Sequence, residues 1–541
     1  GIVRCGVENE AAGEVRFCRY TADLCRRLAA AIFGDPSRIQ LVPIDDNDRY
    51  GRLSNREVDV MLAGDSFTVE KLVREPKTGS RIAFGGAYYG AAVVYAGLPT
   101  YVQCANNQKR HEECADLSIC AVETPEISTL ITSFFPASFV TFGLFPAMEA
   151  SLRSGACNVI VSDTYRLSGS SLQSDIDSGK YVISDYHISR NLISGVVRFE
   201  DSEWYDIVEG TRMASIRSSQ MGIYQDVSKC PANSSSADTP GHSGFSFYNA
   251  TMCVGNSIET FQRSLGDTVL SWGAYLPAID APNFGSLECD DCANVLEWGK
   301  LRTVGDRGHL KCAVYLDPAY NLTQSSLATL MNVKFCELMA VAIFQGNAEA
   351  INITYISEMD YSAFPREFDV VAGANFESKV GWDITNAGSM AFGMPYFMND
   401  KYMHDGTVYD GIGKGMQHAF DNEDMSLIFL SLAVVVATVY AQRQGITRAT
   451  SSNMPQIHLF GEGLTFMLQD AVAYGGNYDE ILAEALASSD NATAVGWNAV
   501  IPNYFVSPKS PVLYCDYTGN CPPCTWVEVD GNYICYSVGP F

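Results

Sequence analysis

The feature that most constrains this chain is a long-range, incomplete copy of itself. Arg56-Glu57-Val58-Asp59-Val60 returns as Arg366-Glu367-Phe368-Asp369-Val370, Ala31-Ile32-Phe33 as Ala342-Ile343-Phe344, and Ala83-Phe84-Gly85 as Ala391-Phe392-Gly393, each about 310 residues on. Cys5 and Cys25 map at nearly the same offset onto Cys312 and Cys336. Farther along the register changes. Gln220-Met221-Gly222-Ile223 matches Arg443-Gln444-Gly445-Ile446, and Gly255-Asn256 matches Gly476-Asn477, at an offset of about 222. The second copy therefore lacks roughly 85 to 90 residues between Phe392 and Gly445, about one compact subdomain. Two modules follow, the second truncated.

The chain is long enough for each module to bury its own core: 541 residues, 47% hydrophobic and 11% aromatic. A net charge of −26 argues against nucleic acid as a partner, because phosphate contacts need clustered Lys and Arg. Seventeen cysteines beside seven histidines point to an oxidising compartment, with one thiol left over by the odd count. The first residues read directly as a core strand without an initiator Met, so a removed signal peptide and a secreted, extracellular or periplasmic location are expected. Sequons at Asn233, Asn249, Asn321, Asn352 and Asn491 allow glycosylation. Met425 to Ala441 carries no charge, yet its counterpart holds Glu209, Arg212 and Arg217, so a buried or interfacial helix is expected there and no membrane span.

Module one opens with a strand at Ile2 to Val7 and a helix at Thr21 to Phe33, stopped by Gly34-Asp35-Pro36. Short apolar strands at Ile39 to Ile44 and Val58 to Leu62 complete a parallel α/β unit. A second unit has strands at Leu117 to Val122 and Val159 to Ser162. Ile193 to Phe199 leads back, and Trp204 to Gly222 is a helix. The preferred module boundary lies in Ala281 to Cys292. Module two repeats the first unit from His309 to Phe397, with little chain between Asn399 and Asp424 for a second lobe. The tail gathers Cys515, Cys521, Cys524 and Cys535 into a small stapled appendage.

Several motifs suggest chemistry and are outweighed by blander readings. Cys104, His111, Cys114 and Cys120 lack regular zinc spacing, so disulfides are expected and no metal. Cys289-Asp290-Asp291-Cys292 and Cys521-Pro522-Pro523-Cys524 do not open a helix after a strand, which favours structural bridges over redox work. Asp45-Asp46-Asn47-Asp48 starts like a calcium loop but meets Arg56 where the closing glutamate belongs. Gly411-Ile412-Gly413-Lys414-Gly415 reads as a hinge or turn. No nucleophile, base and orienter can be assembled, and no cofactor is indicated.

The strings Val3-Arg4-Cys5-Gly6-Val7, Asp23 to Gly34, Asp48-Arg49-Tyr50 and Glu57-Val58-Asp59-Val60 together resemble the general amino-acid branch of type 2 periplasmic solute-binding proteins, the capture subunits of ABC importers. Ser118 to Val122, Cys157 to Asp163, Trp204 to Val208 and Gly476 to Ile481 continue the resemblance in order. It implies an α/β, periplasmic-binding-protein-like fold in which two hinge strands join two lobes around a ligand cleft. Residues 1–285 form the complete module, with lobe one at about 1–100 and 200–285 and lobe two at about 115–195. Residues 286–510 are the one-lobed second module, and 511–541 the tail. The tail aside, Cys5 with Cys25 and Cys312 with Cys336 are the expected duplicated disulfides.

The resemblance also assigns a site. Asp163 matches the second-lobe acid that receives an ammonium group, and Ser66 and Thr68 lie where first-lobe hydroxyls are expected. Lys71 stands at the position of the carboxylate-clamping arginine, without a planar bidentate fork. Glu123-Thr124-Pro125 replaces the turn that grips the carboxylate. The expected function is non-enzymatic capture of a small polar solute in the cleft of module one. The alternative is an extracellular assembly subunit that reuses the fold and self-associates through Met425 to Ala441. An enzyme using Glu123, Glu126 and Asp163 is a lesser alternative.

Overall fold

Eight strands form the first sheet: β1 (Val3–Glu8), β2 (Ile39–Ile44), β3 (Val60–Leu62), β4 (Ile82–Gly97), β5 (Ile119–Val122), β6 (Phe139–Phe142), β7 (Val159–Asp163) and β8 (Val182–Arg198). The computed structural model describes residues 1–8, 15–44, 49–69, 71, 82–107, 114–122, 139–167, 170–199, 201–220, 223–233, 246–265, 299–316, 322–358, 367–374, 390–404, 407–421, 425–490, 524–529 and 532–537. The strand order is β2-β1-β3-β8-β4-β7-β5-β6. β1 runs parallel to β2 and β3 at one end, and β5 parallel to β6 and β7 at the other. Between them β4 and β8 pair antiparallel from Ile82 opposite Arg198 to Gly97 opposite Val182. These two long strands cross from one parallel group to the other, which makes the two-lobed, hinged α/β architecture.

Local sequence explains the first lobe. In helix Val15–Phe33, Leu24, Cys25, Leu28 and Ala29 recur on one face and bury in a cluster with Val3, Cys5 and Val7, the alternate residues of β1, and with Val60 and Leu62 of β3. The helix ends where Gly34, at φ 66°, donates its N–H to the Ala30 carbonyl, a left-handed cap that costs glycine little.

A second sheet repeats this arrangement. Its strands are β9 (Leu310–Tyr315), β10 (Ile351–Ile356), β11 (Val370–Ala374), β12 (Met390–Phe392), β13 (Phe397–His404) and β14 (Thr407–Asp421), in the order β10-β9-β11-β14-β12 with β13 paired to β14. Cys5 lies opposite Leu41 and Val60, and Cys312 opposite Ile353 and Val370. The Arg4 amide donates to the Asp59 carboxylate at 2.9 Å and the Lys311 amide to Asp369 at 2.8 Å. Asn256 and Glu259 cap one helix reciprocally at 2.8 and 3.0 Å, and Asn477 and Glu480 cap its counterpart at 2.9 and 3.1 Å. Among the described residues the second module shows one lobe: where the first continues into β5, β6 and β7, it has the β13–β14 ribbon. Gly411-Ile412-Gly413-Lys414-Gly415, expected to turn, lies inside β14, with Lys414 opposite Asn399 and Gly415 opposite Met398. Cross-strand pairing overrides the poor strand preference of glycine there.

Helix Met425–Arg443 is buried, one of the two placements expected of it. It is long and apolar enough to cross a membrane, yet 78% of its Ser426–Arg443 window is buried inside the chain. It packs on helices Gly299–Arg307, Leu327–Ile343, Met467–Gly475 and Tyr478–Ser488 and on β14. Leu301 of the first of these donates its N–H to the Ser426 hydroxyl at 3.3 Å. Val435 and Val436 are buried in a core that continues through Leu301 and Phe420 to Ile44, Phe84 and Val196 of the first module. The chain itself thus covers this face, in part with residues of the first module.

Beneath this helix lies His418, fully buried against Phe335, Tyr396 and Phe420, its Nδ1 2.7 Å from the Ser431 hydroxyl. Among the described residues its Nε2 has no hydrogen-bond partner, and burial lowers its pKa to about 3. Tyr396 is the titratable group that faces it, and its hydroxyl donates to Asn332 at 2.8 Å.

The cysteine framework is more extensive than the duplicated pair. Cys5–Cys25, Cys104–Cys114, Cys120–Cys157, Cys230–Cys253 and Cys312–Cys336 lie at disulfide distance. Three of the four residues weighed as zinc ligands are therefore engaged in pairs, while His111 lies outside the described residues. So do Cys289, Cys292, Cys515, Cys521, the Asp45 to Asp48 run and the expected module boundary. Cys524 and Cys535 sit in the antiparallel pair β15 (Cys524–Val529) and β16 (Asn532–Ser537). Of the sequons, Asn249 is 1% exposed in helix Phe247–Val254, where no oligosaccharide fits, which corrects that candidate. Asn352 is exposed on the edge strand β10. The placement of Asn233 reaches only its backbone, and Asn321 and Asn491 lie outside the described residues.

Candidate functional site

Parallel strands present their carboxyl ends on one side of an α/β sheet, and ligands collect there. In lobe one the segment after β3, Ala63 to Lys71, occupies that position; in lobe two it is the end of β7, at Asp163.

The lobe-one segment hangs on the hinge strand β8. Ser194 donates its N–H to the Asp65 carbonyl at 3.0 Å, Phe67 donates its own to Leu192 at 2.8 Å, and Ser66 bridges Ile193 between them. Phe67 stacks on Phe84 of β4 with ring centroids 4.9 Å apart. The buried Asp65 accepts from Arg49 at 2.8 Å and from the Tyr50 hydroxyl at 3.1 Å, which fixes the start of the segment. Its Oδ2 is buried without a hydrogen-bond partner. The Thr68 hydroxyl accepts the Lys71 N–H at 3.2 Å, and Lys71 Nζ donates to the Ser66 carbonyl at 3.1 Å. Ser66, Thr68 and Lys71 are thus brought together at the first turn of a helix that includes Val69 and Lys71, with Ser66 and Lys71 half-buried and Thr68 buried.

Asp163 is half-buried opposite Val93 of β4, and Val93 in turn lies opposite Ser189 of β8. Measured along β8, the two groups of candidates are four residues apart, on the order of 13 Å for extended chain. They flank the paired hinge strands from opposite sides, β3 beside β8 and β7 beside β4. Glu123, Thr124 and Glu126 follow β5 beyond Val122 and lie outside the described residues. An aspartate on one side and a lysine beside two hydroxyls on the other place opposite charges across the hinge, which suits a small polar solute carrying both signs.

Sequence reasoning left three residues of this framework unassigned. Arg49 and Tyr50 were legible only as part of a string of the resemblance and Asp65 not at all, since nothing in their spacing announces that an acid 15 or 16 residues on is their partner.

No family model matches the chain. Over 291 residues it is 26% identical to YhdW of Escherichia coli K12, a candidate amino-acid ABC transporter-binding protein, a span that covers 49% of this chain and 82% of that protein. The general L-amino acid-binding periplasmic protein AapJ of Rhizobium johnstonii is 25% identical over 292 residues, with the same shares covered. A solved ABC transporter periplasmic binding protein from Brucella ovis, with glutathione bound, is 22% identical, covers 50% of this chain and 89% of its own, and aligns with a TM-score of 0.38. The relatives of this chain are amino-acid ABC transporter binding proteins, over a span close to one module in length.

Proposed function

We propose that the first module captures a small, amino-acid-like solute between its lobes without transforming it, and that the chain arose by tandem duplication with loss of one lobe from the second copy. The observation that carries this reading is the placement of Ser66, Thr68 and Lys71 on one side of the hinge pair β4–β8 and of Asp163 on the other. Residues 1–285 would be the working module, 286–510 a one-lobed companion and 511–541 an appended tail. Binding-protein relatives support capture over catalysis, and the paired cysteines favour a periplasmic or extracellular setting.

Asp163 supplies the anion for an ammonium group. Lys71 supplies a compact positive charge for a carboxylate and gives less orientation than a guanidinium fork. The resemblance sets Glu123 where the carboxylate-gripping turn is expected, and an acid in that role would repel a second acid, so neutral and cationic ligands should exceed acidic ones in affinity. Calorimetric titration with L-glutamine, L-arginine and L-glutamate tests this, together with Asp163→Ala. The expected result is binding of the first two, abolished in the variant at unchanged melting temperature. Tightest binding by glutamate would refute the charge assignment, and no binding by any of the three would favour a purely structural role for the fold.

A further inference from the structure

The hinge pairing is irregular at two places, one around Val93 to Ala96 beside Asp163 and one nearer lobe one. At the latter the β4–β8 register shifts between Phe84 and Ala87 and again between Ala87 and Tyr89, leaving Ala87 opposite Ser194 between two breaks. An ion pair on helix Ser202–Gln220 grips this bulge. Glu209 accepts the Gly86 N–H at 2.8 Å, and Arg212 donates to the Ala87 carbonyl at 3.2 Å while bonding the Glu209 carboxylate with Nε at 2.9 Å and with Nη2. The guanidinium lies so close to the strand that a Cβ at Gly86 would stand 2.3 Å from its Nη2. The residue opposite Ala87, Ser194, is the one that holds the Asp65 carbonyl and thereby the Ser66 to Lys71 turn.

The second module provides the comparison. Helices Ser202–Gln220 and Met425–Arg443 correspond end to end, and the positions of Glu209 and Arg212 are taken by Leu432 and Val435, both buried. The pair is present where the hinge strands run on into a second lobe and absent where they end in the β13–β14 ribbon.

We propose that Glu209 and Arg212 are positioning residues for solute capture: by clamping the bulge at Gly85 to Ala87 they fix the level of the hinge from which β8 carries the Ser66 to Lys71 turn and β4 carries Asp163. The proposal rests on the capture reading for its purpose, but its mechanical part stands apart from it. The fold needs no charge at this place, as Leu432 and Val435 show, so the pair serves geometry over bulk stability. An irregular ladder has lost hydrogen bonds that would set its register, and the clamp supplies two bonds to the bulged backbone in their place.

The test transplants the second module's own solution into the full chain as Glu209→Leu/Arg212→Val, with Gly86→Ala as a second variant that displaces the guanidinium and leaves both charges. Hydrogen exchange is read at the amides of Phe67 and Ser194, which the clamp does not touch, and L-glutamine and L-arginine are titrated calorimetrically. The expected result is at least tenfold faster exchange at both amides and at least tenfold weaker binding in both variants, with the double variant melting close to the wild type. Wild-type exchange at Phe67 and Ser194 in a folded variant would overturn the proposal. If neither amino acid binds the wild type, the capture reading fails while the exchange result still decides the clamp. If the double variant does not fold, Gly86→Ala decides both.

Discussion

Acidification should weaken the second module through one side chain. His418 is fully buried as the neutral ring, with a pKa lowered by burial from 6.5 to about 3. In the unfolded chain the ring takes up a proton below its ordinary value, whereas in the fold it resists protonation until about pH 3. The unfolded state therefore binds more protons throughout that interval, and stability is full above the unfolded value and lost as pH falls through it toward the folded one. Linkage gives a loss of about 2 kcal/mol on going from pH 7.5 to pH 5, and about 3 kcal/mol by pH 4. Among the described residues no charged group bonds the ring to relieve this: its contacts are Ser431, Phe335, Tyr396 and Phe420. Urea unfolding of the wild type and of His418→Gln across this range isolates the contribution. The glutamine cannot titrate, so the wild type should lose about 2 kcal/mol more than the variant between pH 7.5 and 5. Parallel declines in the two proteins would refute the account, and would mean that the ring gains a partner or water when it is protonated.

Two further outcomes follow from burial. Replacing Cys312 and Cys336 by alanine should destabilise the second module by about 3 kcal/mol, from a chain separation of 24 residues, and the same change at Cys5 and Cys25, separated by 20, should cost the first a similar amount. Denaturant midpoints that move by less than about 1 kcal/mol would show that the bridges contribute little. Val435→Asp places an unpaired carboxylate among buried apolar neighbours and should cost at least about 3 kcal/mol, seen as lost helical signal with no preceding change of oligomeric state. A well-folded variant altered only in light scattering would restore the interface reading.

Much of this fold was legible because the repeat converts one weak reading into two. The strands at Val3, Ile39 and Val60, the helix ending at Phe33 and the matched pair of disulfides could each be checked against a second copy. What remained hidden was non-local. The continuous run of Val182–Arg198 is legible only from Ile193, because its polar stretch Ser184 to Arg190 carries no alternation and is specified by pairing with β4. The glycine-rich part of β14 misleads for the same reason. At the site, Ser66, Thr68, Lys71 and Asp163 could be named through the resemblance. The bonds of Arg49 and Tyr50 to Asp65 and the grip of Glu209 and Arg212 on the hinge could not, because they depend on partners far away in the chain. Glu209, Arg212 and Arg217 of the Trp204 helix speak, in sequence, only against lipid. Their absence from the matching helix was the available signal.

The β13–β14 ribbon also changes the order in which the two halves can assemble. In the first module, strands β3 and β8 meet at Met61 and Val196, roughly 135 residues apart, so lobe one cannot finish its sheet until the whole of lobe two has emerged and its ends have been brought together. In the second, β11 and β14 meet at Val371 and Ala419, roughly 48 residues apart. The shorter closure lowers the entropic cost by about 1 kcal/mol and lowers the contact order of that sheet. The half that carries the ribbon is therefore expected to fold the faster, and the core it shares with Ile44, Phe84 and Val196 would then offer the slower half a preformed surface on which to complete itself.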